Sequence, residues 1–279
     1  MAKIIGVLDV SHVPAIGAAI QKQKQNEPYW KPWFDAFGPV HQWLGKEKPT
    51  TVVVFYNDHG LNFFLDQMPT FAIGVAPKYE SVDEGWGIPI FSKYKGNEEL
   101  AWAIRESLHE AEIDMVVCQE MLIDHAATIP IELLWPKQEC PVKIVPIDIN
   151  TVLFPTPTPS RCEKMGKAVG AAIEKWNSDE KVLIVGTGGL SHQLEGKRAG
   201  FINKKFDIQC MDNLVNNVEW FRQYTSEDCV EKAGTQGLEI LNWIASRSVF
   251  HGKMKEVYRF QKIPISNTSG AIFLLEPSN

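Results

Sequence analysis

The chain has 279 residues, long for one domain but within the reach of large α/β domains. Hydrophobic residues make up 44% and charged residues 22%, the balance of a soluble globular enzyme. A formal net charge of −6 excludes a general nucleic-acid surface, which needs a basic stripe. No window approaches the roughly 20 apolar residues of a membrane span. The five cysteines are odd in number and lack CxxC spacing, so reduced thiols are expected. The amino terminus runs into a strand with no leader, and a cytoplasmic location is expected.

In chain order, strands are expected at KIIGVLDV (3–10), TTVVVFYN (50–57), FAIGVA (71–76) and MVVCQEM (115–121). Further strands are expected at KIVPIDIN (143–150), KVLIVGT (181–187) and AIFLLEP (271–277). Several are near-continuous apolar runs, as strands covered on both faces require. Helical spacing begins after Asn97, with Leu100, Ile104, Leu108 and Ala111 on one stripe. A second helix is expected to open at Ser160, with Ser160 and Glu163 as a capping box, and to carry Met165, Val169, Ala172, Ile173 and Trp176. A third is expected over roughly 227–248, through Val230, Ala233, Leu238, Leu241 and Ile244. FPTPTPS (154–160) reads as a rigid loop rather than a linker, because composition does not shift across it. The expected fold is therefore one α/β domain over 1–279, a mostly parallel or mixed sheet flanked by helices.

Four of the seven histidines stand just after strand candidates: His12, His59, His125 and His192. Open α/β sheets place ligand sites outside the carboxyl ends of their strands, so these imidazoles are expected to share one crevice. Imidazoles gathered there point to a metal, to acid–base chemistry, or to both. Pro14 stiffens the turn after His12, and the polar cluster Asn57-Asp58-His59 suits a rim better than a core. The remaining three, His41, His109 and His251, read as surface residues. A dinucleotide loop at GTGG fails on spacing, since Gly186 and Gly188 would need a third glycine where Ser191 stands.

The blocks DVSHVPAIGAAI (9–20), VVFYNDHG (53–60), PTFAIGVA (69–76), DEGWG (83–87), IDHAATIP (123–130), VGTGGLSHQLEGKRAGFINKKFD (185–207), QGLEILNWI (236–244) and IPISNT (263–268) occur in this order. Together they resemble the class III extradiol ring-cleaving dioxygenases, and within that family the large chains of the protocatechuate 4,5-dioxygenases. The resemblance covers nearly the whole chain. It implies one Fe(II) held by His12, His59 and Glu239, a set that leaves positions open for dioxygen and a catecholate. It implies that His192 is the acid–base residue, with a pKa suited to taking and returning a proton. It implies that His125 hydrogen-bonds substrate or an oxygen intermediate, although Ala126 stands where the family more often has glycine.

Ser266, with Asn267, Thr268 and Asn57, is expected to meet the substrate's carboxylate end. Protocatechuate is the first expected substrate, with gallate and 3-O-methylgallate next, in the breakdown of lignin-derived aromatics. The resemblance also implies a small α subunit in an α2β2-like assembly, because the chain stops at Asn279 without a fused cap. A zinc hydrolase on the same ligands and a non-catalytic binding relative are the rival readings.

Overall fold

The computed structural model describes residues 1–85, 93–136 and 139–278. Its strands are β1 (Lys3–Val10), β2 (Thr51–Tyr56), β3 (Phe71–Gly74), β4 (Lys78–Ser81), β5 (Lys93–Gly96), β6 (Val116–Cys118), β7 (Leu122–Ile123), β8 (Lys143–Ile149), β9 (Lys181–Thr187), β10 (Met254–Ile265) and β11 (Thr268–Pro277). Its helices are α1 (Pro14–Gln21), α2 (Lys31–Asp35), α3 (Gly38–Glu47), α4 (Glu98–Glu110), α5 (His125–Leu134), α6 (Pro159–Lys175), α7 (Lys204–Asn216), α8 (Ser226–Ala233) and α9 (Ile240–Ser248).

All eleven strands join one mixed sheet. Its centre is parallel, in the order β1-β9-β2-β8, and an antiparallel hairpin of β11 and β10 extends it beyond β1. The far edge of β8 is shared, pairing antiparallel with β3 at one end and parallel with β5 at the other. Every residue of β2 is buried, because helices cover both faces. Alternation along that strand feeds two cores: Val53 and Phe55 face α4, α6, α7 and α9, while Val52, Val54 and Tyr56 face α1, α3 and α5. The expected α/β class, one domain with a central mixed sheet flanked by helices, is what the chain forms.

The local departures have physical causes. The capping box at Ser160 does not form: α6 starts one residue earlier, its N-cap is Thr158, and Thr158 Oγ1 accepts from Arg161 N at 3.3 Å. Glu163 instead pairs with Arg222 through two contacts of 2.6 Å and with Lys167 at 2.6 Å. The expected helix over 227–248 is broken at Gly234, where φ is +89°, into α8, a 3-10 turn at Gln236–Glu239, and α9. MVVCQEM yields only the three-residue edge strand β6. Strands β4, β5, β7 and β10, and helices α1, α2, α3, α5 and α7, are not among the elements that local pattern predicts. His41 is half-buried, its Nε2 2.8 Å from Leu133 O, while His109 and His251 are exposed as expected.

α6 crosses α9 closely because Gly166 and Gly170 share one face. A Cβ at either would overlap a backbone oxygen, of Ala245 or Val249 respectively. That approach seats α9, and Glu239, the candidate acidic ligand, stands immediately before its first residue. All five cysteines are free. Among the described residues, no helix is long and apolar enough to cross a membrane.

Candidate metal centre and active site

The chain turns away from the sheet at the carboxyl ends of β1, β2 and β9, and three of the histidines stand on those turns. Ser11 locks the first turn: its hydroxyl donates to Gly189 O at 2.6 Å and accepts from Ala271 N at 3.0 Å. His12 follows, with Nδ1 3.1 Å from Thr187 Oγ1. The second turn is organised by Asp58, whose carboxylate accepts the backbone N–H groups of Gly60, Leu61, Asn62 and Phe63 at 2.9–3.1 Å. His59 gives both its backbone N–H and its Nδ1–H to Asp124 Oδ2, at 3.1 and 2.8 Å. The other oxygen of Asp124 accepts from Ala126 N and so caps α5. One carboxylate therefore starts a helix and aims an imidazole.

His125, the first residue of α5, gives its Nδ1–H to Glu84 Oε2 at 2.8 Å. His192 gives its Nδ1–H to Leu190 O at 2.8 Å, and its loop is tied down by Ser191, which contacts both oxygens of Asp207. All four imidazoles are thus anchored through Nδ1. The His59 and His125 rings stack at 4.3 Å, and His12 stands edge-on to them at 5.3 and 5.5 Å.

Glu239 enters from the end of the 3-10 turn. Its Oε2 accepts Gly189 N–H at 2.8 Å; its Oε1 lies 3.3 Å from His12 Nε2 and 3.8 Å from His59 Nε2. His192 Nε2 is 3.9 Å from Oε2. Gly188, at φ +87°, is required here because a Cβ would come within 2.6 Å of that carboxylate. Burial alone would raise the Glu239 pKa, but His12, His59 and His192 hold it well below the ordinary carboxylate range. Burial opposes charge on His59, yet Asp124 and Glu239 outweigh it and raise its pKa to about 10. Burial pushes His12 the other way, below its ordinary value. Two imidazole Nε2 atoms facing one ionised, buried carboxylate fit a divalent cation, which would take the place of the proton that these carboxylates draw onto His59. Nitrogens of His12, His59 and His125 also lie within 4.8 Å of one another, so a three-imidazole set is a geometric alternative.

These groups line a cavity of about 660 Å³ with mainly apolar walls, among them Val13, Pro14, Ala15, Ala18, Val152 and Leu194. Of the residues expected in the site, His12, Asn57, His59, His125, His192, Glu239, Ser266 and Thr268 all line it. Asn267 does not: it is exposed at the turn between β10 and β11 and is not part of the cavity wall. In the DEGWG block, Trp86 and Gly87 lie outside the described residues.

Sequence reasoning passed over Glu84, Asp124, Thr187 and Asn242. Asn242 Nδ2 donates to Asn57 Oδ1 at 3.0 Å and to Thr187 O at 3.1 Å. That bond turns the Asn57 amide so that its Nδ2 is 3.4 Å from His59 Nε2. Asn242 lies one helical turn beyond Glu239, the one local signal that could have drawn attention to it.

A family model described as the catalytic LigB subunit of aromatic ring-opening dioxygenase matches residues 6–272. The chain belongs to this family, and its single α/β domain with a mixed sheet is consistent with the family's fold. Among curated relatives, the gallate dioxygenase of Pseudomonas putida is 35% identical over 195 residues, covering 70% of this chain and 57% of that protein. A 2,3-dihydroxyphenylpropionate/2,3-dihydroxicinnamic acid 1,2-dioxygenase of Rhodococcus globerulus is 27% identical, covering 81% and 85% respectively. The chain therefore spans just over half of the gallate enzyme. An uncharacterized protein of Escherichia coli K12 superposes with a TM-score of 0.59 at 13% identity, over 98% of this chain and all of that one, which shows the fold alone.

Proposed function

We propose that the chain is a non-haem Fe(II) extradiol dioxygenase acting on a catecholic aromatic acid, with His12, His59 and Glu239 as the metal ligands. The observation that carries this reading is the meeting of two Nδ1-anchored imidazoles with one ionised carboxylate at the floor of an apolar cavity. Ferrous iron held there by His12, His59 and Glu239 would supply the electron transfer between a catechol and dioxygen that the spin state of oxygen otherwise forbids.

The protein's own residues do the rest. His192, with Nδ1 committed to Leu190 O, takes a catechol hydroxyl proton at Nε2 and later returns it to one of the oxygens that the product keeps. Both oxygen atoms of O2 end in the ring-opened acid, whose second new carbonyl is an aldehyde, acid or ketone according to the substituent on the cleaved carbon, so no external reductant is consumed. His125, stacked on His59, hydrogen-bonds substrate or an oxygen intermediate. Asn57, Ser266 and Thr268 orient the ring substituent, and the apolar walls exclude water. Among the described residues no Lys or Arg lines the cavity, so a substrate carboxylate is met by hydroxyl and amide donors.

Protocatechuate, gallate and 3-O-methylgallate remain the candidates. The names of the relatives favour gallate over protocatechuate as the first to try, and dihydroxyphenylpropionate joins the panel. We further propose a small partner subunit over the cavity mouth, in an α2β2-like assembly. Val152 and Leu194 line the cavity and remain 48% and 53% exposed, beside exposed Leu153 and Phe154. A reducing, cytoplasmic setting accords with the five free thiols.

The test is oxygen uptake by anaerobically purified, Fe(II)-loaded protein on these four substrates, with product spectra. One O2 consumed per ring opened supports the proposal. A zinc hydrolase is the second reading, favoured by the three-imidazole set, which suits zinc. Zinc retained through purification, with no oxygen uptake in the Fe(II)-loaded protein, would replace the first reading with the second.

A further inference from the structure

His59 and His125 are clamped by the same device. Each gives a backbone N–H and an Nδ1–H to a single carboxylate, Asp124 for His59 and Glu84 for His125. Glu84 comes from a loop 41 residues earlier, its side chain is 1% exposed, and it lines the cavity with His125. Its Oε1 accepts His125 N at 2.7 Å and its Oε2 accepts Nδ1–H at 2.8 Å. The first bond fixes the distance between loop and helix, and the second fixes rotation of the ring. Stacking on His59 at 4.3 Å and 28° restrains its tilt.

We propose that Glu84 is a positioning residue that holds His125 as its Nδ1–H tautomer. An ionised carboxylate only accepts, so a neutral ring facing Glu84 keeps its proton on Nδ1 and offers Nε2 as an acceptor. Glu84 also keeps His125 from competing for Asp124, whose Oδ2 lies 3.9 Å from His125 Nδ1 and is already engaged with His59. The role in turnover rests on the extradiol reading of the cavity, whereas the tautomer does not.

The discriminating variant is Glu84→Gln. Its amide can still accept the backbone N–H, but its NH2 group faces Nδ1 and drives the proton to Nε2. Two readouts are needed. In zinc-loaded, ¹⁵N-histidine-labelled protein, long-range ¹⁵N–¹H spectra should show the His125 proton on Nδ1 in the wild type and on Nε2 in E84Q. In Fe(II)-loaded protein, kcat for oxygen uptake should fall about 10–100-fold in E84Q, with anaerobic 4-nitrocatechol affinity unchanged. The same substitution in a His125→Ala background should cost little more, because the effect passes through His125.

A wild-type proton on Nε2 overturns the proposal, as does an equal loss from E84Q with and without His125. Parallel loss of kcat and 4-nitrocatechol affinity would mean a merely structural contact and also overturns it. A wild-type protein that opens no catechol ring, with the expected tautomers, rejects the extradiol reading and leaves the Glu84–His125 assignment standing.

Discussion

Gly188→Ala tests how the acidic ligand is held. Gly188 has φ +87°, and a Cβ there would lie 2.6 Å from Glu239 Oε2 and 2.7 Å from Glu239 Cβ. Two costs follow. The left-handed backbone costs a residue with a side chain roughly 1–2 kcal/mol. The overlap adds a displacement of Glu239, since the neighbouring Gly189 N–H fixes the same carboxylate at 2.8 Å and cannot follow it freely. Gly200 separates the two, because it has φ +81° and a Cβ there would meet nothing within 4 Å, so Gly200→Ala carries the backbone cost alone. Both variants should lose a few degrees of Tm, at about 2 °C per kcal/mol for a chain of 279 residues. Only G188A should also lose Fe(II) affinity, by about 10–100-fold, measured by anaerobic competition with a chromophoric chelator. Wild-type metal affinity in G188A, or an equal loss in G200A, would refute the argument that backbone space at Gly188 sets the ligand.

Three further outcomes are expected. His192→Ala should keep its metal and its 4-nitrocatechol binding while kcat falls about 10²–10⁴-fold; metal loss with full turnover of the remainder would remove His192 from the proton-transfer role. Thr158→Ala should destabilise the fold by about 1 kcal/mol in denaturant titration and Ser160→Ala by much less, since Thr158 is the N-cap of α6. Burial would raise the Glu163 pKa, but Arg222 and Lys167 bring it below the ordinary 4.5. A depressed carboxylate contributes stability that is present above pH 4.5 and lost as pH falls through the folded value. The stability gap between the wild type and E163Q should therefore be widest near neutral pH and close on acidification, and a gap that widens in acid would contradict the ion pair.

Much of the architecture was legible because central strands bury both faces. TTVVVFYN and KVLIVGT are continuous apolar runs whose only physical home is a covered sheet, and β2 and β9 form there. The edge elements β4, β5 and β7 carry short mixed patterns, and their residues pair only because β8 leaves half an edge for β5. β10 escaped for a related reason: its pattern is half-exposed, so neither a period of two nor an apolar run marks it. The broken helix at Gly234 was missed because apolar spacing continues across the break while the left-handed glycine, not the spacing, decides the turn.

The site divides along the same line. Residue types at strand ends, a polar histidine where a core residue would otherwise stand, were enough to nominate His12, His59, His125 and His192 from the chain alone. Glu239 came only through the resemblance of its block, because a helical glutamate has no local mark that separates a ligand from a solvated charge. Asn267 shows the converse: its neighbours Ser266 and Thr268 line the cavity, but the hairpin turn directs Asn267 to solvent. Local pattern thus settled the strand faces, the rim and the kinds of donor placed there. Which carboxylate meets which imidazole was decided by tertiary packing, since Glu84, Asp124 and Glu239 reach their partners across 41, 65 and 227 residues. A hydrogen bond of about 3 Å has no signature in a sequence that separates its ends so far. It exists only once the sheet and the Gly166–Gly170 crossing have brought α5, α9 and the loops onto one rim.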